Sequence, residues 1–214
     1  CSVRRQRQMC IRDSYKNFAI VTAKYEATKA GHKILKMGGN AFDAMIATDL
    51  ALSVVYPNAG NLGGGGFMVY RTSNSQYGSI DYREKAPLLS SENMYLDKNG
   101  NIIKNLSREG SLSIGVPGTV AGLFEVYEKF GTLPLDSIFK PALELAKDGF
   151  KLTKKQADLF NSSKSKILIN SDSLSLFNKD FKKDMIFSND KLYKTLKYLL
   201  KYGAEGFYLS LIHI

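Results

Sequence analysis

Tryptophan is absent from this chain, and cysteine and histidine are each limited to two residues in 214. Both cysteines, Cys1 and Cys10, fall in the first ten positions, and His32 is the one histidine outside the last two residues. The body of the chain therefore offers no disulfide framework, no thiol nucleophile and no Cys/His zinc site. No apolar run approaches the roughly 20 residues that a membrane-crossing helix needs. A Ser/His/Asp set, a paired-carboxylate motif and metal-ligand spacing are all lacking, so no cofactor is implied.

The two ends read as foreign. Leu209 to Ile214 can be written CTG TCT CTT ATA CAC ATC, whose reverse complement, one base out of frame, encodes Met-Cys-Ile-Arg-Asp, the residues Met9 to Asp13. Arg4 to Gln8 fit the read-primer stretch that precedes a transposase mosaic end in sequencing libraries. A targeting peptide would need an apolar core or a longer Arg/Ser-rich helix. Residues 1–14 and 209–214 are therefore expected to be adaptor-derived, and residues 15–208 to be an internal piece of a longer protein. The formal charge of +10 falls to +7 on that reading. Residues 15–150 carry 14 basic and 13 acidic side chains, and residues 151–208 carry 12 and 6. The lysines of this second part alternate with Asp180, Asp184 and Asp190 at helical spacing. That pattern favours a solvated helix face over a nucleic-acid stripe, since no arginine accompanies them.

Phe18 to Ala23 is a short apolar run that predicts a buried strand. Tyr25 to Met37 has helical period and is closed by Gly38-Gly39. Asn40 and Asp43 then mark the N-cap and N3 positions of a second helix, Ala41 to Val55, apolar almost all round and expected to pack against a sheet. The run Gly60 to Gly66 stops it. Phe67 to Arg71 and Gly78 to Arg83 predict a hairpin, and Asp97 to Asn101 a turn. Further helices are expected over Val120 to Phe130, with Thr119 as N-cap, over Pro134 to Lys147, and finally over Leu192 to Tyr202. The order points to an α+β layered domain.

The glycine run Gly63 to Gly66 lacks the Lys-Ser/Thr of a phosphate loop, and a helix precedes it where a dinucleotide fingerprint needs a strand. A close backbone approach explains it better. Arg83 ends a predicted strand; from spacing alone a salt bridge to Asp81 or Glu84 is favoured over a binding role. His32 reads as a surface histidine, and Thr119 as a cap with no base beside it.

Longer strings add a resemblance. Gly38-Gly39-Asn40-Ala41-Phe42-Asp43-Ala44, Leu62-Gly63-Gly64-Gly65-Gly66-Phe67-Met68-Val69-Tyr70, Asp81-Tyr82-Arg83-Glu84-Lys85-Ala86-Pro87, Ser107-Arg108-Glu109-Gly110 and Gly115 to Leu123 stand in order. Together they resemble the large subunit of γ-glutamyltranspeptidases, as do Tyr127 to Gly131, Pro141 to Phe150 and the ending Gly203 to Tyr208. Asn58-Ala59 and Leu62 depart from the usual strings and leave the subfamily open, with a related acylase or poly-γ-glutamate-processing enzyme as alternative. The resemblance implies an N-terminal-nucleophile hydrolase, an αββα sandwich left incomplete here. Such a precursor cleaves itself, and a threonine of the small subunit, absent from this chain, attacks the γ-glutamyl carbonyl with its own amine as base. Arg83 matches the arginine that clamps the substrate α-carboxylate. Glutathione-like substrates, the small subunit as partner, and a periplasmic or secreted location follow as expectations; a non-enzymatic basic binding module is the alternative of another class.

Overall fold

Helix formation begins where the sequence places its strongest local signal. Asn40 Oδ1 accepts from the amides of Phe42 (2.8 Å) and Asp43 (2.9 Å), and Asp43 Oδ2 accepts from the Asn40 amide (3.0 Å), a complete capping box. These bonds open α2, Ala41–Val55, which follows α1, Tyr25–Lys36, after a turn at Gly38 with φ +90°. In this computed structural model residues 17–169 and 176–211 are described. The remaining elements are β1 (Phe67–Arg71), β2 (Tyr77–Asp81), α3 (Thr119–Phe130), α4 (Leu135–Asp148), β3 (Phe150–Lys151), α5 (Lys154–Ile169), β4 (Ile186–Phe187) and α6 (Asp190–Gly206).

The capping residues of α2 also fasten the far end of α3. Asp43 is fully buried and accepts from the Thr132 amide (2.9 Å) and the Thr132 hydroxyl, while Asn40 Nδ2 donates to Phe130 O (2.6 Å). Phe42 stacks on Phe130 at 4.2 Å, and Tyr70 of β1 closes the group. From there the core runs through Ile34, Ile46, Leu50, Val54, Val126, Ile138, Phe139 and Leu199. The same core extends to a group of rings where Phe160 of α5 meets Phe177, Phe181 and Phe187.

Both ladders are antiparallel and two-stranded, β1 with β2 from Phe67↔Asp81 to Arg71↔Tyr77, and β3 with β4. The chain is thus α+β, as its order of elements predicts, and the Asp97 turn forms with its carboxylate accepting from Asn99 and Asn101. Three expectations need correction. Phe18 to Ala23 joins no ladder among the described residues, because strand formation needs a partner as well as an apolar run. Helix α2 packs mainly on α1, α4 and α3, and meets the β1–β2 hairpin at its start, where Phe42 touches Tyr70. Gly118, and not Thr119, is the N-cap of α3. Residues 1–14 and 212–214 lie outside the described residues, and Leu209 to Leu211 continue a π-type turn from Phe207.

Replacing Asp43 by alanine removes the acceptor of two backbone amides and one hydroxyl. A loss of about 2–4 kcal/mol is expected, read as a lower urea midpoint at unchanged slope. Asp43→Asn keeps one acceptor oxygen and should lose less.

Candidate functional site

Three stretches of backbone meet around Tyr82. The loop after α2 arrives first: Tyr56 O accepts the Gly60 amide (2.8 Å), and Asn61 O accepts the Gly64 amide (3.3 Å). Gly66 and Tyr82 then exchange amide bonds of 3.3 and 3.0 Å, extending the β1–β2 hairpin by one pair. On the other side Lys85 and Val116 exchange bonds of 3.1 and 2.7 Å. Gly64 O accepts from both the Gly118 amide (2.9 Å) and the Thr119 amide (3.0 Å).

Glycine is required where these stretches cross. A Cβ on Gly65 would lie 2.5 Å from Tyr82 O, and one on Gly118 only 1.9 Å from the same oxygen. The four-glycine run therefore does what its position predicts, letting a loop pass against another backbone before a strand. The amides that a Thr119 cap would serve are met otherwise, Ala121 by the Tyr208 hydroxyl and Gly122 by Gly118 O, so no side-chain cap is needed. The Thr119 hydroxyl instead donates to Asn61 O (3.4 Å).

Arg83 sits in the middle of this arrangement. Its amide donates to Asp81 Oδ1 (2.9 Å), which fixes the backbone at the end of the hairpin. The Arg83 side chain is 69% exposed, and its Nε stands 3.8 Å from Glu84 Oε2. The expected ion pair thus forms with Glu84 and not with the Asp81 carboxylate. At that distance and exposure it is worth well under about 1 kcal/mol. Among the described residues no other acceptor holds the fork. His32 is exposed, with its ring edge-on to that of Phe18 at 5.3 Å, and among the described residues Thr119 has no base beside it. No cluster of three potential metal ligands occurs among the described residues.

Two tyrosines that the sequence did not single out complete the frame. The Tyr208 hydroxyl donates to Pro117 O (2.7 Å) and accepts from the Ala121 amide (3.2 Å), pinning the end of the described chain to the start of α3. Burial raises the Tyr208 phenol above its ordinary value; it raises Tyr82 too, with the Asp49 charge adding to the effect. Only the aromatic in the ending Gly-Phe-Tyr hinted at Tyr208.

Both phenols must stay neutral in the folded protein. A group raised in this way contributes stability that is fully present below the unfolded value, near 10, and lost as pH rises through the folded value. Thermal unfolding should therefore show a stability loss above about pH 10, and a Tyr82→Phe/Tyr208→Phe double variant should flatten that loss. A Gly118→Ala variant should lose about 1–3 kcal/mol by forcing the crossing apart, measured by urea unfolding.

The model of the gamma-glutamyltranspeptidase family matches residues 27–211. The glutathione hydrolase proenzyme of Pseudomonas sp. (strain A14) is 42% identical over 90% of this chain and 34% of its own length. That of Escherichia coli K12 is 41% identical over 87% and 33%. The chain thus spans about a third of the length of these curated relatives. Among solved structures, the Helicobacter pylori gamma-glutamyltranspeptidase superposes with a TM-score of 0.87 at 40% identity, over 91% of this chain and 57% of that one. A cephalosporin acylase from Bacillus halodurans, TM-score 0.76 at 22% identity, shares the fold alone. These likenesses identify the fold as that of the N-terminal-nucleophile hydrolases, here an incomplete α+β part of it, and do not favour a basic binding module. Match, identity and superposition agree, and the chain belongs to the gamma-glutamyltranspeptidase family.

Proposed function

We propose that residues 15–208 are the Arg83-bearing large-subunit part of a γ-glutamyltransferase and glutathione hydrolase, made as a longer precursor. The observation that carries this reading is the state of Arg83. Its backbone is clamped by the crossing at Tyr82, while its fork is exposed and held only by a 3.8 Å contact to Glu84. A planar guanidinium so presented can take a carboxylate through two parallel, charge-assisted bonds. The relatives' names, glutathione hydrolase proenzyme, supply the matching donor, a γ-glutamyl compound with a free α-carboxylate.

In this reading Arg83 orients the donor so that its γ-carbonyl reaches a threonine at the new N-terminus of the small subunit, the partner in the same precursor. The threonine's amine serves as base, and backbone amides hold the oxyanion. Water or an amino acid then completes hydrolysis or transfer. None of the chain's own residues supplies a nucleophile or cofactor to that step, and export to the periplasm or exterior suits extracellular glutathione as substrate. Among the described residues no helix is long and apolar enough to cross a membrane.

In a full-length protein, Arg83→Lys and Arg83→Ala should raise KM for a γ-glutamyl anilide about ten- to hundred-fold, the loss of a charge-assisted pair worth about 1.5–3 kcal/mol. Unchanged donor affinity in both variants would remove Arg83 from the site. The 214-residue chain by itself should not turn over the anilide; reproducible activity from it would overturn the assignment of the nucleophile to the small subunit.

A further inference from the structure

The two bonds of the Tyr208 hydroxyl fall on the strip of backbone that lies against Arg83. Val116, Pro117 and Gly118 run beside residues 82–85: Val116 pairs with Lys85, and a Cβ on Gly118 would come within 1.9 Å of Tyr82 O and 2.9 Å of Arg83 O. Backbone bonds hold the outer residues of the strip, Val116 to Lys85 and Gly118 to Gly64 O. Pro117, between them, has no N–H to donate, so its carbonyl is its one backbone anchor. The Tyr208 hydroxyl donates to that carbonyl at 2.7 Å. The same oxygen accepts from the Ala121 amide at 3.2 Å, in the first turn of α3, and so ties the strip to the helix that continues it.

The phenol that makes these bonds comes from 91 positions beyond Pro117, and a break in α6 brings it there. At Gly203 the backbone turns to φ +67°, ψ −163°, a region that glycine alone enters readily, and the helix kinks. Past the kink Phe207 is buried in the core, and Tyr208 lies edge-on to its ring at 5.2 Å, half-buried against α3. A regular helix through residue 203 would follow another path, so the phenol depends on the kink for its place.

We infer that Tyr208, aimed by the kink at Gly203, is a positioning residue for Arg83: by holding Pro117 it keeps the strip against residues 82–85 and so sets the direction from which the guanidinium meets a carboxylate. The inference rests on the proposed role of Arg83 in donor binding. Tyr208 touches no substrate in this reading and acts only through the backbone beneath Arg83. The arginine side chain is long and 69% exposed, so a shift at its base passes to the fork with little beyond the 3.8 Å contact to Glu84 to oppose it.

The test is a double-mutant cycle in the full-length protein, with a γ-glutamyl anilide as donor. KM is the quantity read, because it does not depend on how much of a preparation is folded. Tyr208→Phe deletes the hydroxyl and keeps the ring; it should raise KM about three- to tenfold. In an Arg83→Ala background the same change should leave KM where Arg83→Ala alone puts it, since a residue that acts through Arg83 then has nothing to act on. Gly203→Ala, which cannot hold the kink without strain, should show the same rise and the same disappearance. An equal fold-rise with and without Arg83 would reveal a general structural effect and overturn the inference, and so would an unchanged KM in Tyr208→Phe. The Arg83→Ala arm keeps the readings apart. A raised KM there beside an unchanged KM in Tyr208→Phe sinks only this inference, whereas an unchanged KM in Arg83→Ala itself sinks the proposed donor site and this inference with it.

Discussion

The crossing of three backbone stretches at Tyr82 is the constraint on which the rest of this architecture depends. Tyr82 O lies where the Cβ of Gly65 and of Gly118 would be, so both neighbours must be glycine for the stretches to meet. Once they meet, Gly64 O can satisfy the amides of the N-cap Gly118 and of Thr119, the first residue of α3, together, and Gly66 and Lys85 can pair on either side of Arg83. Each of these bonds fills a backbone need that would cost about 1–3 kcal/mol if left open in the interior. The hairpin, the glycine loop and the start of α3 are therefore one unit, and Arg83 is its outward-facing product.

Two acids on α2 show the difference between a local and a non-local solution. Asp43 is fully buried yet answered, by Asn40 three residues earlier and by Thr132 across the helix junction. Asp49, two turns on, is answered by nothing among the described residues. The first was legible because a capping box is an i to i+3 pattern that any reader of Asn40 and Asp43 can find. The second was hidden in a helix that looks apolar all round, and its partner is not set by its neighbours in sequence.

The same distinction explains which elements could be read beforehand. The five α-helices preceded or closed by Gly, Asn or Pro, and the hairpin, follow from periods and punctuation within a dozen residues. Phe18 to Ala23 has strand composition and strand-like burial, but pairing depends on residues far away, and the expected ladder does not form. Thr119 carries a good capping side chain in the right place; the amide it would have capped, that of Ala121, is taken instead by the Tyr208 hydroxyl, 89 positions later than Thr119, which no local pattern announces. For Arg83, spacing alone favoured a salt bridge, and one does form with Glu84, but so loosely that it explains little of why an arginine stands there.

Charge in bulk is a poor guide to what this protein binds. The lysine-rich second part disperses its cations over exposed helix faces, where Lys164 meets Asp180 at 3.0 Å, Lys194 meets Asp190 at 2.7 Å and Lys201 lies over the Tyr202 ring. Such contacts are flexible, screened and individually weak. Arg83 is about as exposed as Lys194, but its backbone is held by Asp81 and by the crossing at Tyr82, so its fork starts from a fixed base. In the proposed role, selectivity for a carboxylate would depend on that fixed base, because a planar two-bond grip loses its advantage when the chain beneath it can drift. The glycines that look like the emptiest part of the sequence are what fix the backbone beneath Arg83.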